Sequence, residues 1–472
     1  MFQSVFYIFI IVLLFLLNSL SVLSDECSFV LLNIFFSAFV ISKLLEMRHV
    51  ERFIINPLFL ASLFMFLFAY GFPILGEYFQ GEIRYGCNFH NLFKGMLYVN
   101  FAFLVLWHTY HSQWLSRFAK SLNRTKFLYR KELKLNMPII YVVIIVSICA
   151  NLITIHKGQY GVLATNDPSL QDIEYSQLNY FLSIGLKGVV FLLALQYYKY
   201  RKNKILFIST FGLLLFFQIL AGFKGAIIQT FLLLFIANYI VNRKVNFRLL
   251  FLSFFSLIVA YSVVEPYRAY LDITKSQPSS VFEISDCIVK GVIVGAEVVK
   301  EDDENSLLVK VLSRFSSLPE LATFIDYKEK YGLIEGRDPN FINLCLTIPA
   351  QLLIPRAIWS SKPVNDLGVW WVSNTVIGNM SNSSSAFGPI GFLYLTAGFI
   401  SIAIGFIIIA IILKIGEKLM NMDCDGSLLI SIIYLTNIYT MEAAFNIYVI
   451  GAIRFLFIAY VFHLIIMKPA KV

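Results

Sequence analysis

The chain alternates long apolar runs with short polar breaks, and the runs are continuous rather than alternating. Runs of about 16–22 apolar residues match the length a helix needs to cross roughly 30 Å of hydrocarbon. A membrane barrel would instead show alternating segments of about ten residues. The pattern therefore predicts an all-α, polytopic integral membrane protein of about 12 transmembrane helices. The predicted spans are 4–23, 27–45, 54–73, 92–110, 137–155, 179–198, 205–222, 226–242, 248–265, 388–412, 427–441 and 451–467. The first run has no basic residue before it and no small-residue cleavage site after it. It reads as a retained span rather than a signal peptide.

Charge sets the orientation. Only 14% of the 472 residues are charged, against about 25% in soluble proteins. Arg117 to Lys134, Lys199 to Lys204, and Arg243 with Lys244 fall in loops that reach the same side when the spans alternate. Lys43, Arg48, Arg52, Lys414, Lys418, Lys468 and Lys471 join them there. The opposite short loops hold Asp25 and Glu26, then Glu77, Glu82 and Arg84. By the positive-inside rule both termini are cytoplasmic. The net charge of +9 is then a topology signal, and its scatter over short loops argues against nucleic-acid binding.

One long polar stretch interrupts the spans. Residues 266–387 hold 11 Lys or Arg and 14 Asp or Glu, and they fall on the outer side. A loop of this length is usually functional. Leu307, Val311 and Leu318 recur at helical spacing, with Arg314 on the same face. Arg314 either snorkels at the membrane surface or points into a polar cavity. Phe341 to Leu353 is apolar but broken by Pro349, as in a re-entrant or interfacial element. Pro355-Arg356-Ala357-Ile358-Trp359-Ser360-Ser361-Lys362-Pro363 follows. It is either an interfacial anchor or a stiff clamp for phosphate or sugar.

Other polar residues stand at membrane depth. Lys224 lies in the turn Gly222-Phe223-Lys224-Gly225, where it either snorkels or holds a phosphate. Lys187, about halfway along span six, must face the bundle or pair. Arg454 and Glu442 are placed to pair with each other. His108 and His111 lack carboxylate or cysteine partners, and the six cysteines match no metal spacing. A disulfide among Cys87, Cys287 and Cys345 is one option, spare buried thiols the other.

Three of these segments carry a family resemblance. Gly222-Phe223-Lys224-Gly225 resembles the Gly-x-Arg-Gly turn of O-antigen polymerases and ligases. Pro355-Arg356-x-x-Trp359-x-x-Lys362-Pro363 is similar to the outer-loop motif of Wzy-type oligosaccharide repeat unit polymerases. Gly388-Pro389-Ile390-Gly391, with Tyr394 and Gly398, resembles that group's Ile-Gly-Glu-x-Tyr region. Lys224 stands where Arg is usual, and Phe392 where Glu would be. The resemblance covers roughly residues 205–400.

The resemblance implies a GT-C-like, metal-independent glycosyltransferase of the bacterial inner membrane that uses no cofactor and no nucleotide sugar. It would join undecaprenyl-diphosphate-linked oligosaccharide units into O-antigen or a related surface polysaccharide at the periplasmic face, in some cases beside a chain-length regulator protein. Cations would steady the charge on the departing diphosphate. The residue types single out Arg268, Arg314 and Arg356 for that task, with Lys362 and Lys224 in support. Glu265 and Glu320 are candidate bases for the acceptor hydroxyl. Tyr267, Trp359, Trp370 and Trp371 are candidates either for stacking on sugars or for packing and anchoring. Two other readings share the span count. A lipid-linked oligosaccharide flippase would show matched halves, which are absent here. An O-antigen ligase usually carries an outer-loop His, and 266–387 holds none.

Overall fold

The computed structural model describes residues 2–466 apart from 51–52, 82, 122–134, 159, 162–172, 223, 275, 277, 302–315, 335–337, 355–358, 360–366, 373–387 and 421–443. Most of the described residues are helical. In chain order the helices are α1 (Phe2–Ser19), α2 (Asp25–Glu46), α3 (Pro57–Phe79), α4 (Phe89–Tyr110), α5 (Gln113–Ser121) and α6 (Met137–His156). Next come α7 (Ile173–Tyr200), α8 (Lys204–Ala221), α9 (Lys224–Asn242), α10 (Phe247–Thr274), α11 (Val281–Glu301) and α12 (Leu318–Tyr331). The last are α13 (Phe341–Leu346), α14 (Ile348–Leu353), α15 (Leu367–Trp371), α16 (Pro389–Ala397), α17 (Phe399–Met420) and α18 (Phe445–Ile466).

Among the described residues, six helices are long and apolar enough to cross a membrane: α2, α3, α4, α6, α8 and α17. Three shorter apolar stretches, Gln3–Ser19, Gln229–Asn242 and Phe445–Val461, accompany them. Span 427–441 lies outside the described residues.

The chain divides into two compact units. Unit 1 comprises residues 1–126, 305–423 and 434–458; unit 2 comprises 127–304, 424–433 and 459–472. The stretch 266–387 is thus shared: residues up to 304 group with unit 2, and the rest with unit 1.

In unit 1 the helix ends sort onto two faces. At one, Lys43 at the end of α2 donates to Gln3 of α1 at 2.9 Å and lies over the Trp107 ring of α4. Asn56 donates to Glu417 of α17 at 3.3 Å, and Lys414 sits 4.4 Å over the Tyr110 ring. At the other face, Asp25 meets Asn18 at 2.8 Å and His90 at 3.4 Å. Tyr78 donates to Glu26 at 2.8 Å, and Lys94 pairs with Glu329 of α12 at 2.8 Å. The basic loop ends and α12 therefore lie at opposite ends of this unit.

Two helices depart from the predicted spans. The run 388–412 breaks at Gly398, which is left-handed (φ 60°). The Ala397 amide then donates to the Ser401 hydroxyl at 3.0 Å, starting a new helix. The long apolar helix is Phe399–Met420, and α16 packs on α12 instead. Gly391 makes that packing close, because a Cβ there would stand 2.5 Å from the Phe324 ring. Span nine also does not stop at 265: α10 runs on through Pro266 to Thr274. In unit 2, α11 returns along α10, with Gly291 against the backbone of Pro266 and Tyr267.

Candidate functional site

A proline sets the site up. Pro73 has no N–H, so it cannot bond the Ala69 carbonyl one turn back. The helix accommodates this with a π-helical stretch, Ser62–Gly71. The Ala69 carbonyl then accepts from the Ser317 amide at 2.7 Å, and the Tyr70 carbonyl accepts from Asn33 Nδ2 at 2.9 Å. The first of these bonds docks the start of α12 beside the end of α3.

Ser317-Leu318-Pro319-Glu320 has the form of a capping box, in which the Glu would bond back to the Ser amide. Here Ala69 has taken that amide, and the Ser317 hydroxyl makes no cap bond. The Glu320 carboxylate is released toward the loop after α3. In that loop Tyr85 is left-handed (φ 63°), a strained conformation for a residue with a side chain. The turn it makes directs Arg84 back at two carboxylates. Arg84 Nε lies 3.3 Å from Glu77 Oε1, and Nη1 lies 3.3 Å from Glu320 Oε1. Nη2 donates to the Ser316 carbonyl, and the Tyr85 hydroxyl donates to Glu320 Oε1 at 3.4 Å.

The arrangement is unequal. The guanidinium side chain is 27% exposed, whereas Glu77 and Glu320 are 3% and 7% exposed. Glu320 Oε1 is fully used, while Oε2 is buried with no partner among the described residues. Burial pushes the Glu320 carboxyl up to about 7, against the pull of Arg84. A carboxyl in that range accepts and returns a proton near neutral pH. Cys87 donates from Sγ to the Pro319 carbonyl at 3.4 Å. Burial, reinforced by the Glu320 and Glu77 charges, pushes its thiol up to about 12, so it stays neutral and is no nucleophile.

One and two turns along the same face of α12 as Glu320, aromatic side chains pack. Phe324 lies 4.1 Å, centroid to centroid, from Trp371, and Tyr327 lies 5.9 Å from Trp370. Phe341 of α13 packs on Trp370 and Phe392. Lys328 donates to the Tyr394 carbonyl at 2.9 Å, and burial lowers its pKa.

The sequence candidates fare differently. Glu320 is at the centre of this cluster in unit 1. Tyr267 is 1% exposed and sits in the unit 2 core with Phe217, Leu271, Ile284 and Cys287. No ring face is left for a sugar, because α11 closes over α10 at Gly291. Trp371 is likewise core, at 1% exposed. Arg268 lies on α10 one residue beyond Tyr267 and is partly buried. Trp359 is also partly buried. Lys224 opens α9 after Gly222, which ends α8 left-handed (φ 69°), and Glu265 lies within α10; both side chains are outside the described residues. Arg314, Arg356 and Lys362 are outside them too. Arg454 donates to the Gln351 carbonyl at 3.1 Å, and Glu442 is not described. Cys87, Cys287 and Cys345 are free thiols.

Arg84 and Glu77 are the residues that sequence reasoning missed. Their signal was present: Arg84 is the lone Lys or Arg in a short loop otherwise marked by acids. Compared with family models, curated proteins and solved structures, the chain has no match.

Proposed function

We propose that this chain is a membrane glycosyltransferase that polymerises undecaprenyl-diphosphate-linked oligosaccharide units at the periplasmic face of a bacterial inner membrane. The observation that carries the reading is Glu320: a buried carboxyl with one free oxygen, poised near neutrality beside Arg84, at the end of unit 1 opposite the basic loops. In this reading Glu320 Oε2 takes the proton from the acceptor hydroxyl as the new glycosidic bond forms. Arg84 holds Glu320 in place and limits the rise of its pKa.

The leaving group is a lipid diphosphate, which departs without a general acid. Arg268, Arg314 and Arg356, with Lys224 and Lys362, are the proposed cations that steady it. The chemistry calls for neither metal nor cofactor. The proposal extends to about twelve spans in a GT-C-like arrangement, with both termini cytoplasmic. The short α13 and α14, with Leu346 and Leu353 largely exposed, suit an element seated at the lipid surface.

The test is a reconstituted assay with purified protein and lipid-linked repeat units, scored for a ladder of products. Arg356→Ala abolishes the long products in cells while single lipid-linked units still reach the outer face. Full-length chains from that variant remove Arg356 from the mechanism. Loss of externalised single units on gene deletion favours a flippase instead.

A further inference from the structure

Three helices of unit 2 bring polar side chains to one level, and the set is rich in donors and poor in acceptors. Lys187 of α7 donates to Gln229 Oε1 of α9 at 3.3 Å. Among the described residues that neutral amide is its hydrogen-bond partner, and no carboxylate pairs with it. Thr230, the next residue of α9, donates to Gln218 Oε1 of α8. Gln218 is 6% exposed, and its Nε2 has no acceptor. The two polar pairs are thus neighbours on α9, and both carry unspent N–H groups.

Their depth follows from helix geometry. Gln218 precedes the end of α8 by less than one turn, and Thr230 follows the start of α9 by under two turns. At 1.5 Å per residue the cluster lies roughly 5–9 Å from the Gly222 turn and about 20 Å from the opposite end of α8. Lys187 stands about as far from the Tyr200 end of α7, near the midpoint of that helix, so the side chains share one level. A cation inside hydrocarbon costs about 2.5–3.5 kcal/mol on insertion scales. A buried N–H without an acceptor costs about 1–3 kcal/mol. An anion between these helices removes both penalties at once.

We propose that Lys187, Gln218 and Gln229 form a binding site for the phosphate of an anionic amphiphile. The ammonium supplies the charge, and the two amides fix the phosphate oxygens. The site does not depend on the polymerase reading, because either a bilayer phospholipid or a polyprenyl phosphate carries the required group.

The experiment uses full-length protein in nanodiscs of phosphatidylcholine doped with phosphatidylglycerol or with undecaprenyl phosphate. Lipid retained after mild delipidation is read by native mass spectrometry. The wild type retains a phosphate-charged lipid at least tenfold over phosphatidylcholine. Lys187→Met and Gln218→Leu each lose that preference, and Lys187→Arg keeps it. Undecaprenyl phosphate displacing phosphatidylglycerol assigns the site to a lipid-linked substrate, whereas equal retention assigns it to bulk lipid. The proposal is overturned if folded Gln218→Leu and Lys187→Met retain the anionic lipid as the wild type does. A higher melting temperature for Lys187→Met with unchanged retention likewise reduces Lys187 to a structural cation. Activity of the Glu320 variants is a separate readout, so failure here and failure of the polymerase reading are distinguishable.

Discussion

The polar clusters of the two units solve opposite problems. In unit 1 one guanidinium faces two buried carboxylates, and the surplus is an acceptor, Glu320 Oε2. In unit 2 one ammonium faces one amide, a second amide stands on the next residue of α9, and the surplus is a donor, Gln218 Nε2. Buried polar groups left half-satisfied are costly. Each surplus therefore marks where a missing partner belongs: a proton or hydroxyl donor in the first case, an oxyanion in the second. A charge count over the whole chain would merge the two.

The comparison breaks most sharply at Glu320. Glu320→Gln lowers turnover in the ladder assay by about 10²–10⁴, the usual contribution of a general base, while lipid retention by unit 2 is unchanged. Near-normal turnover in that variant removes Glu320 as the base. Arg84→Ala comes next. It leaves Glu77 and Glu320 facing each other without a cation and destabilises the fold by about 2–4 kcal/mol, a discount on the roughly 3–5 kcal/mol of a fully buried pair because the guanidinium is partly exposed. Chemical unfolding in micelles reads this, and adding Glu320→Gln recovers part of the loss. If Arg84→Ala is neutral, the pair is solvated and the cluster is not the rigid one described.

Gly391→Ala tests how α12 is held. The new methyl meets the Phe324 ring, and overpacking of this kind costs about 1–3 kcal/mol. A melting scan alongside turnover separates the loss of fold from the displacement of Glu320.

The pH dependence is the mildest effect. Turnover rises with pH to a midpoint near 7 as Glu320 loses its proton, then levels off. The linkage to stability has the opposite sign. The carboxyl is raised above its ordinary value of 4.5 in the folded state. Its contribution is therefore complete below that value and is lost as pH rises through about 7. An activity profile flat from pH 5 to 9 excludes Glu320 as the titrating group.

Much of the fold was legible because apolar runs of fixed length have one meaning in a membrane protein. The helices at 25–46, 89–110, 137–156 and 204–221 follow the predicted spans closely. Gly398 was not legible as a break, since a single glycine inside an apolar run neither shortens it nor adds charge. The helix before it is apolar because it packs on α12, and composition does not distinguish protein from lipid as the neighbour. The continuation of α10 past Pro266 was hidden by the charges that begin there.

The site was half legible. Glu320 could be named from the sequence only together with Glu265, as an acid of the right type that spacing does not single out. Its release depends on Ala69, whose carbonyl carries no side-chain signature. Arg84 was read as a marker of sidedness, since one cation in a short acidic loop says nothing of a partner on α12. Tyr267 shows the converse. An aromatic at the end of a span is open to stacking on a sugar or to packing, and the packing it adopts is set by a helix that returns from a distance.

The bond between the Ala69 carbonyl and the Ser317 amide joins a helix made early in translation to one made late. While the ribosome works through everything between them, that carbonyl waits without its final acceptor role filled, so the nascent end of α3 must stay wet. A chain halted before α12 carries that end of α3 without the amide that closes it.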